Sequence, residues 1–344
     1  MVKLSIFSDF HHQGLYASFH YLFENRLGHE LYRPIGKEWF DKGFWKIAEP
    51  YNNYPGTIEQ YLGDRDFVPS DGSPSLNIPA GFCCVLDTTH HFKQKVLTFE
   101  EFCNTDIDII IATIPAHVPT YKRLIKEYKP TAKLIYHIGN IGWHESVPSE
   151  AENIMASVKE FKTDKNAVFY RQEFDLNVFK PLEGPLRHAN VTSFVNCLPQ
   201  PETYLKLKEK LTEFEFKAYG IGCPDGTLGE IDDIARAMQR STFGYHNKPH
   251  GDGFGHVIHN WMAVGKPVIV NLGDYKDKLA GELLIEGETC IDLDKGIDHV
   301  VEIVRRLSSL EYADMSNKVQ TKFKEVVDFG RDADKVRNFL DRLV

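Results

Sequence analysis

The stretch from residue 250 to residue 269 has the residue types and spacing best suited to chemistry. It reads His-Gly-Asp-Gly-Phe-Gly-His-Val-Ile-His-Asn-Trp-Met-Ala-Val-Gly-Lys-Pro-Val-Ile, a glycine-rich turn that opens into a helical pattern and leads into an apolar strand. Gly253 and Gly255 let a ligand approach the backbone, and the amides at a helix start favour a phosphate. Asp252 and Asn260 bracket the turn, so both could reach one ligand. The segment therefore predicts a site for a nucleoside diphosphate.

This segment resembles the donor site of the retaining GT-B glycosyltransferases of the glycogen-synthase-like, group 1 type. In that family one acidic residue precedes Gly-Phe-Gly, and a second begins the run Glu-Ala-Met-Ala-x-Gly-Lys-Pro-Val-Ile. Asp252 stands at the first acidic position and Asn260 at the second. Further positions match the pattern in order: Gly253, Phe254, Gly255, Met262, Ala263, Gly265, Lys266, Pro267, Val268 and Ile269. The resemblance implies two Rossmann-like domains that face a cleft, with a C-terminal helix that crosses back to the first domain.

The same resemblance implies a function and its residues. It implies transfer of a sugar from a nucleotide-sugar, a UDP- or GDP-sugar above all, to an acceptor, with retention of configuration and with neither a metal nor a bound cofactor. Asp252 would hold sugar hydroxyls, and His137, at the end of a predicted strand, would line the cleft as a second catalytic residue. The predicted donor-binding residues lie in the first loop of the chain or around the glycine turn: Gly14, His12, Lys248, Gly253, Phe254, Gly255, His256 and Asn260.

One part of the family's donor site is missing. Where the family has Gly-Arg and then a Lys that clamp the diphosphate, residues 195–200 read Val-Asn-Cys-Leu-Pro-Gln and contain no base. Another cation must then offset the diphosphate charge, because burying unpaired charge is costly. Lys248, four residues before Asp252, is the predicted replacement, with His250, His256 or a first-domain residue such as His12 as alternatives.

Other functions stay open at this point. A protein that binds a nucleotide-sugar or a partner without turnover would account for the missing bases and for Asn260. A glycosyltransferase acting on modified nucleic-acid bases is disfavoured by the net charge of −9. An epimerase or phosphorylase would need lysine and cofactor signals that are lacking. The acceptor (a glycan, a lipid or a small molecule) and the oligomeric state are left undetermined. A metal site is not expected, because the glycine turn breaks the spacing of the histidines around it, and His259 is expected to pack or cap locally.

Short β-branched runs alternate with helical patterns along the chain, which predicts an α/β fold. The predicted strands are 3–8, 29–35, 82–86, 107–112, 133–137, 167–170, 192–198, 216–219, 241–245 and 267–271. The predicted helices include 15–27, 116–128, 201–213, 228–240, 255–263 and 298–310. A turn-rich segment at 180–185 separates two series. We therefore predict domains at 1–185 and 186–313, and a helical tail at 314–344 that returns to the first domain.

Composition limits the class of protein further. The chain has 344 residues, and no apolar run approaches the roughly 20 residues that a membrane helix needs. Its six cysteines show no Cys-x-x-Cys spacing. These features predict a soluble cytoplasmic protein with no membrane span and with reduced, mostly buried thiols. For Lys266, between Gly265 and Pro267, a solvated turn residue with no further role stays open as an alternative.

Overall fold

The computed structural model describes residues 2–9, 13–34, 38–42, 95–139, 147–182 and 189–344. The predicted strand at 82–86 and the predicted donor residue His12 lie outside these ranges. By its contacts the chain divides into two units. Unit 1 comprises Met1–Phe174 together with Phe329–Val344, and unit 2 comprises Asp175–Asp328.

Unit 1 is built on a parallel sheet with the strand order β3-β2-β1-β4-β5-β6-β7. Its strands are β1 Ser5–Ser8, β2 Glu30–Pro34, β3 Lys95–Leu97, β4 Ile109–Ala112, β5 Lys133–Ile138, β6 Asn153–Ala156 and β7 Asn166–Phe169. Every residue of β4 is buried, which explains its unbroken apolar run, because helices cover both faces of a parallel sheet. The sequence predicted β1, β2, β4, β5 and β7, and it missed β3 and β6. Strand β3 has only three residues, too few to show a period.

Five helices of unit 1 lie within the described residues. They are α1 Gln13–Phe19, which continues as a π-helical segment His20–Arg26, α2 Glu38–Asp41, α3 Phe99–Asn104, α4 Val118–Tyr128 and, from the end of the chain, α10 Phe329–Asp341. A capping box between Thr98 and Glu101 fixes the start of α3. In α10, Val336, Phe339 and Leu340 join the core of unit 1.

Unit 2 is built on a second parallel sheet with the strand order β12-β11-β10-β8-β9. Its strands are β8 Asn190–Ser193, β9 Glu215–Ala218, β10 Phe243–His246, β11 Val268–Val270 and β12 Cys290–Asp292. Its helices are α5 Pro201–Lys210, α6 Ile231–Arg240, α7 His256–Ala263, α8 Ile297–Arg306 and α9 Ser309–Val326. The sequence missed β12, which has three residues. In β10, a Cβ on Gly244 would lie 2.7 Å from the Trp261 ring, so glycine lets α7 pack closely against this strand.

Both domain boundaries differ from the predicted ones. The first falls after residue 174 rather than 185, because Gln239 Nε2 on α6 donates to the carbonyl oxygens of Val178 (3.1 Å) and Lys180 (2.9 Å) and holds this segment on unit 2. The second falls after residue 328 rather than 313, because the tail is two helices. Tyr312 OH on α9 donates to Thr242 O at 2.7 Å and Ser316 Oγ to Gly265 O at 2.6 Å. Only α10 belongs to unit 1.

Two further expectations concern membrane-spanning helices and the burial of the cysteines. In the part of the chain that the structure describes, no helix has the length and apolar character needed to cross a bilayer. Four cysteines lie in this part, and all are free thiols: Cys290 is buried, Cys103 and Cys223 are partly buried and Cys197 is exposed. The expectation of mostly buried thiols is therefore wrong for these four, since loops rather than strands carry Cys197 and Cys223.

Candidate functional site

The glycine-rich turn joins β10 to α7 at the carboxyl end of the second sheet, the edge at which open α/β sheets bind ligands. His250 and Gly251 both have a φ of 63°, and they reverse the chain direction. The amine of Lys278, which is 6% exposed, donates to the His250 carbonyl oxygen. Burial lowers the pKa of Lys278, while the nearby carboxylates of Asp252 and Asp274 act in the opposite sense. A buried lysine from a neighbouring loop therefore fixes the shape of the turn.

Asp252 is the centre of the polar contacts at this turn. Its carboxylate accepts hydrogen bonds from His246 Nε2 at 2.7 Å and from Tyr275 OH at 3.3 Å, and it pairs with the amine of Lys248. Burial tends to raise the pKa of Asp252, but its interactions with His246 and Lys248 outweigh burial and hold this pKa well below its usual range. Asp252 is therefore ionised at neutral pH. Because a carboxylate only accepts, His246 must carry a proton on Nε2.

Charged groups of both signs surround Asp252. Lys248 and Lys278 supply two ammonium groups, and Asp252 and Asp274 supply two carboxylates. The Lys248 side chain is 45% exposed, whereas that of Asp252 is 17% exposed. Lys248, the predicted replacement cation, thus lies at the predicted place but is already paired. An incoming diphosphate has to draw its amine away from Asp252.

The start of α7 presents backbone amides next to this cluster. Gly255 precedes the helix with a φ of 85°, and a Cβ there would lie 2.8 Å from the Ala280 methyl group, so both conformation and packing require glycine. The first bond of the helix runs from His259 N to Gly255 O, at 3.1 Å. The amides of Val257 and Ile258 precede that bond and have no acceptor within the helix. They are available, with the positive end of the helix dipole, for an anion.

Three aromatic rings pack together at the turn and the start of α7. Phe254 is 3% exposed and its ring stacks on that of His259, with centroids 4.1 Å apart. His256, the first residue of α7, lies against the edge of Phe254 at 4.8 Å. His259 Nδ1 contacts Gly255 O at 2.9 Å, which confirms the expected local packing role of His259. Phe254 therefore holds the turn in shape, and its ring does not lie open to a donor.

The loop after β8, where the family's bases are missing, has an unusual backbone. Cys197, Leu198 and Gln200 have φ values of 60°, 38° and 54°, a conformation that L-residues rarely adopt. Gln200 Oε1 accepts from Asn247 Nδ2 at 3.0 Å, so this loop lies against the glycine turn. Three strained residues at the ligand edge of a sheet indicate a functional segment, and no residue type in this loop signals the strain.

The predicted residues of unit 1 lie in a different setting. His137, on β5, is fully buried; its Nε2 is hydrogen-bonded to Tyr170 OH at 3.0 Å, and its ring packs edge-on to Phe19 at 5.2 Å. These are the contacts of a core histidine. Gly14 lies in the first turn of α1. The structure thus collects Lys248, Asp252 and residues 253–256 in one turn of unit 2, with Asn260 one turn into α7, while His137 and Gly14 belong to unit 1.

Sequence reasoning missed a second buried acid and histidine, in unit 1. Asp9 directly follows β1, and its carboxylate accepts from Thr113 N at 2.7 Å and pairs with His117 Nδ1. Both side chains of the pair are fully buried. The position of Asp9 after the first strand was a usable signal, whereas nothing in the spacing marks His117 or Lys278. Across the described ranges, no three His, Cys, Asp or Glu side chains are grouped to hold a metal ion.

Comparisons with known proteins bear on the fold. No family profile matches the sequence, and no curated protein is significantly similar to it in sequence. Solved structures match along the whole chain. Anabaena HepE, in complex with UDP and glucose, has a TM-score of 0.67 at 12% identity, over 99% of this chain and 100% of that chain. Sucrose-phosphate synthase from Thermosynechococcus elongatus has a TM-score of 0.62 at 10% identity, over 99% of each chain. A glycosyltransferase from Rickettsia africae has a TM-score of 0.59 at 12% identity, over 100% of this chain and 99% of that one. These matches confirm the predicted α/β fold, which is the GT-B fold.

Proposed function

We propose that this chain is a glycosyltransferase that moves a sugar from a nucleoside diphosphate sugar to an acceptor. The observation that carries the proposal is the ionised Asp252, held at a glycine turn between two lysines and the open amides of α7. HepE, which shares the fold, has been solved with UDP-glucose. A UDP-sugar is therefore the donor class to test first.

In this proposal the diphosphate lies at the start of α7. The amides of Val257 and Ile258 donate to its oxygens, and Lys248 exchanges its partner Asp252 for a phosphate oxygen. Such an exchange is feasible because the Lys248 side chain is 45% exposed, so its amine can move without leaving a buried position. Lys278 keeps the turn in the shape that the diphosphate needs.

The movement of Lys248 from Asp252 to the phosphate frees the Asp252 carboxylate to bind the sugar. Once Lys248 has moved to the phosphate, the Asp252 carboxylate accepts from sugar hydroxyls and orients C1, while His246 and Tyr275 hold the carboxylate still. Asn260 Oδ1 is buried and accepts no hydrogen bond from the described residues, which is unfavourable by about 1–3 kcal/mol for such a group. A ribose hydroxyl would relieve this cost.

The chemical step separates charge, because C1 becomes oxocarbenium-like as the diphosphate departs. We assign the stabilisation of the departing group to the lysine and the helix amides, with no metal required. Retention at C1 follows from the resemblance, and so does an acceptor site on unit 1. His137 receives no chemical role in this scheme, since its contacts with Tyr170 and Phe19 are those of a core side chain.

The direct test is incubation with UDP-, GDP- and ADP-sugars and a mixture of glycan, lipid and small-molecule acceptors, followed by measurement of the released nucleotide. Asp252→Ala should lower turnover by about two orders of magnitude, the scale of one polar transition-state contact. Asp298→Ala is the matched control, because the Asp298 side chain is 90% exposed on α8. Activity of Asp252→Ala within a few-fold of wild type would contradict the assignment. The anomeric configuration of the product, read by NMR, tests retention.

A second candidate is a protein that binds nucleotide-sugar without turnover. It is favoured by the ion pair between Lys248 and Asp252, which neutralises both groups, and by the lack of a base at 195–200. Calorimetry with UDP separates the two candidates. Saturable UDP binding with no nucleotide release from any donor would favour the second.

A further inference from the structure

A cavity of about 640 Å³ lies in unit 2 at the end of the sheet opposite to the glycine turn. Its walls include Ala189, Thr242 and Lys266, which come just before β8, β10 and β11. In a parallel sheet these are the amino ends of the strands, whereas the turn with Asp252 follows the carboxyl end of β10. The cavity is thus separate from the proposed donor site.

Lys266 is the unusual residue in this cavity. Of the alternatives for Lys266, the solvated turn residue does not fit, because the residue is only 7% exposed: it lies between α7 and β11, and α9 packs over this end of the sheet. Within the part of the chain that the structure describes, its amine makes no hydrogen bond or ion pair. Burial lowers its pKa to about 8, so the amine is still mainly charged at neutral pH. Among the described residues that line the cavity, this amine is the only cationic group and has no counter-charge beside it, which favours an anionic partner.

The surroundings of Lys266 favour an anion as that partner. No Asp or Glu lines the cavity, and Tyr312 is the other titratable group in its wall. Helix α9 starts at the rim, where Ser308 and Glu311 form a capping box that satisfies its first amides. Ser309, Asn317 and Gln320 bring polar side chains, while Ser316 and Tyr312 already donate to backbone carbonyls.

Much of the cavity lining is apolar. The apolar lining residues include Phe214, Phe243, Leu307, Val304 and Leu182. A cavity of this volume accommodates a small molecule, and pockets that bind small molecules combine such apolar walls with a few placed polar groups. The ligand that fits therefore carries a negative group at one end and an apolar body at the other.

We propose that this cavity binds a small organic anion whose phosphate or carboxylate group pairs with the Lys266 amine and whose apolar body packs on Phe214, Phe243 and Leu307. The site is independent of the donor site, and a ligand there would contact α9 and the amino ends of the central strands. Nothing in the proposed transfer chemistry uses this cavity.

The test is a calorimetric titration of the full chain with phenyl phosphate, with benzoate and with benzyl alcohol as the uncharged analogue. Lys266→Met keeps the apolar stem and removes the charge, and Lys318→Met is the matched control on α9, where Lys318 is exposed and paired with Asp314. We expect the Kd for phenyl phosphate to rise at least tenfold in Lys266→Met and to stay unchanged in Lys318→Met. Equal affinity of Lys266→Met and wild type, or no saturable binding of either anion to wild type, overturns the proposal.

A second measurement keeps the proposal open to refutation if Lys266→Met fails to fold. The pKa of the Lys266 amine in the wild-type chain can be followed by NMR of ¹³C-labelled lysine. Saturating phenyl phosphate should raise this pKa, because a bound anion favours the charged amine, whereas benzyl alcohol should leave it unchanged. An unchanged pKa with phenyl phosphate, or equally tight binding of benzyl alcohol, would show an apolar cavity with no anion site.

Discussion

Each unit carries a hydrogen-bonded pair of an aspartate and a histidine at the carboxyl edge of its sheet, and the two pairs differ in what surrounds them. In unit 1, Asp9 and His117 are fully buried, and a backbone amide of Thr113 completes the pair. In unit 2, the Asp252 side chain is 17% exposed and has Lys248 and Lys278 close by.

The same two residue types therefore have different roles in the two units. In the sealed pair each oxygen of the Asp9 carboxylate contacts a group of the protein, and both side chains are fully buried, so we assign it to stabilising the fold rather than to binding a ligand. An open pair beside an exposed cation, here Lys248, keeps a charge whose partner a ligand can exchange. We therefore interpret Asp9 and His117 as a structural pair, and Asp252 as the centre of the binding site.

The largest effect on stability is expected in the sealed pair. Asp9→Ala leaves the Thr113 amide and the His117 ring without their buried acceptor, and we expect the free energy of unfolding to fall by about 3–5 kcal/mol. Urea unfolding measures the change, with Asp164→Ala as the control because Asp164 is exposed. A loss below about 1 kcal/mol, the range of exposed pairs, would remove the distinction between the two pairs.

Replacing Asp252 in the open pair should lower the free energy of unfolding by a smaller amount, and this amount should depend on pH. The pKa of folded Asp252 lies below its unfolded value of about 3.9, so the unfolded chain takes up a proton that the folded chain does not. The stability advantage of wild type over Asp252→Asn, about 2 kcal/mol at pH 7, should therefore be constant above about pH 5 and shrink as the pH falls below about 4. Urea unfolding at pH 7, 5 and 3 is the measurement. An advantage that stays the same at pH 3 would contradict an ionised Asp252.

The smallest predicted effect is a loss of UDP affinity when Lys278 is replaced. Lys278→Met removes the donor to the His250 carbonyl, and the turn should lose part of its preformed shape. We expect the Kd for UDP to rise about tenfold, which corresponds to about 1.4 kcal/mol. Lys276→Met serves as the control, since Lys276 is exposed two residues earlier on the same segment. Calorimetry decides, and equal affinities in the two variants would show that Lys278 has no part in binding.

The sequence predicted the parts of the molecule that are local in the chain. Strands with β-branched runs, the helix after the glycine turn and Asp252 were all visible, because period and spacing encode them. Lys278 and His250 meet across 28 positions, and Asp9 and His117 across 108, so only the folded chain brings them together. The end of the second unit was placed too early for a similar reason. Nothing local distinguishes α9, which packs on Gly265, from α10, which packs on β7.

Unit 1 is built from two segments that lie far apart in the sequence, and this limits the order in which the two units can fold. The ribosome releases residues 1–174 first, but α10 comes from Phe329–Asp341 at the far end. Until then, the surface of unit 1 that receives Val336, Phe339 and Leu340 stays uncovered, and the Arg171 amide lacks the Asp332 carboxylate that it contacts at 3.1 Å. Unit 2 is continuous in sequence and can complete its core before unit 1 does. Chains truncated after Asp328 should therefore hold a protease-resistant unit 2 and a unit 1 that is still susceptible, the reverse of the usual amino-terminal-first order.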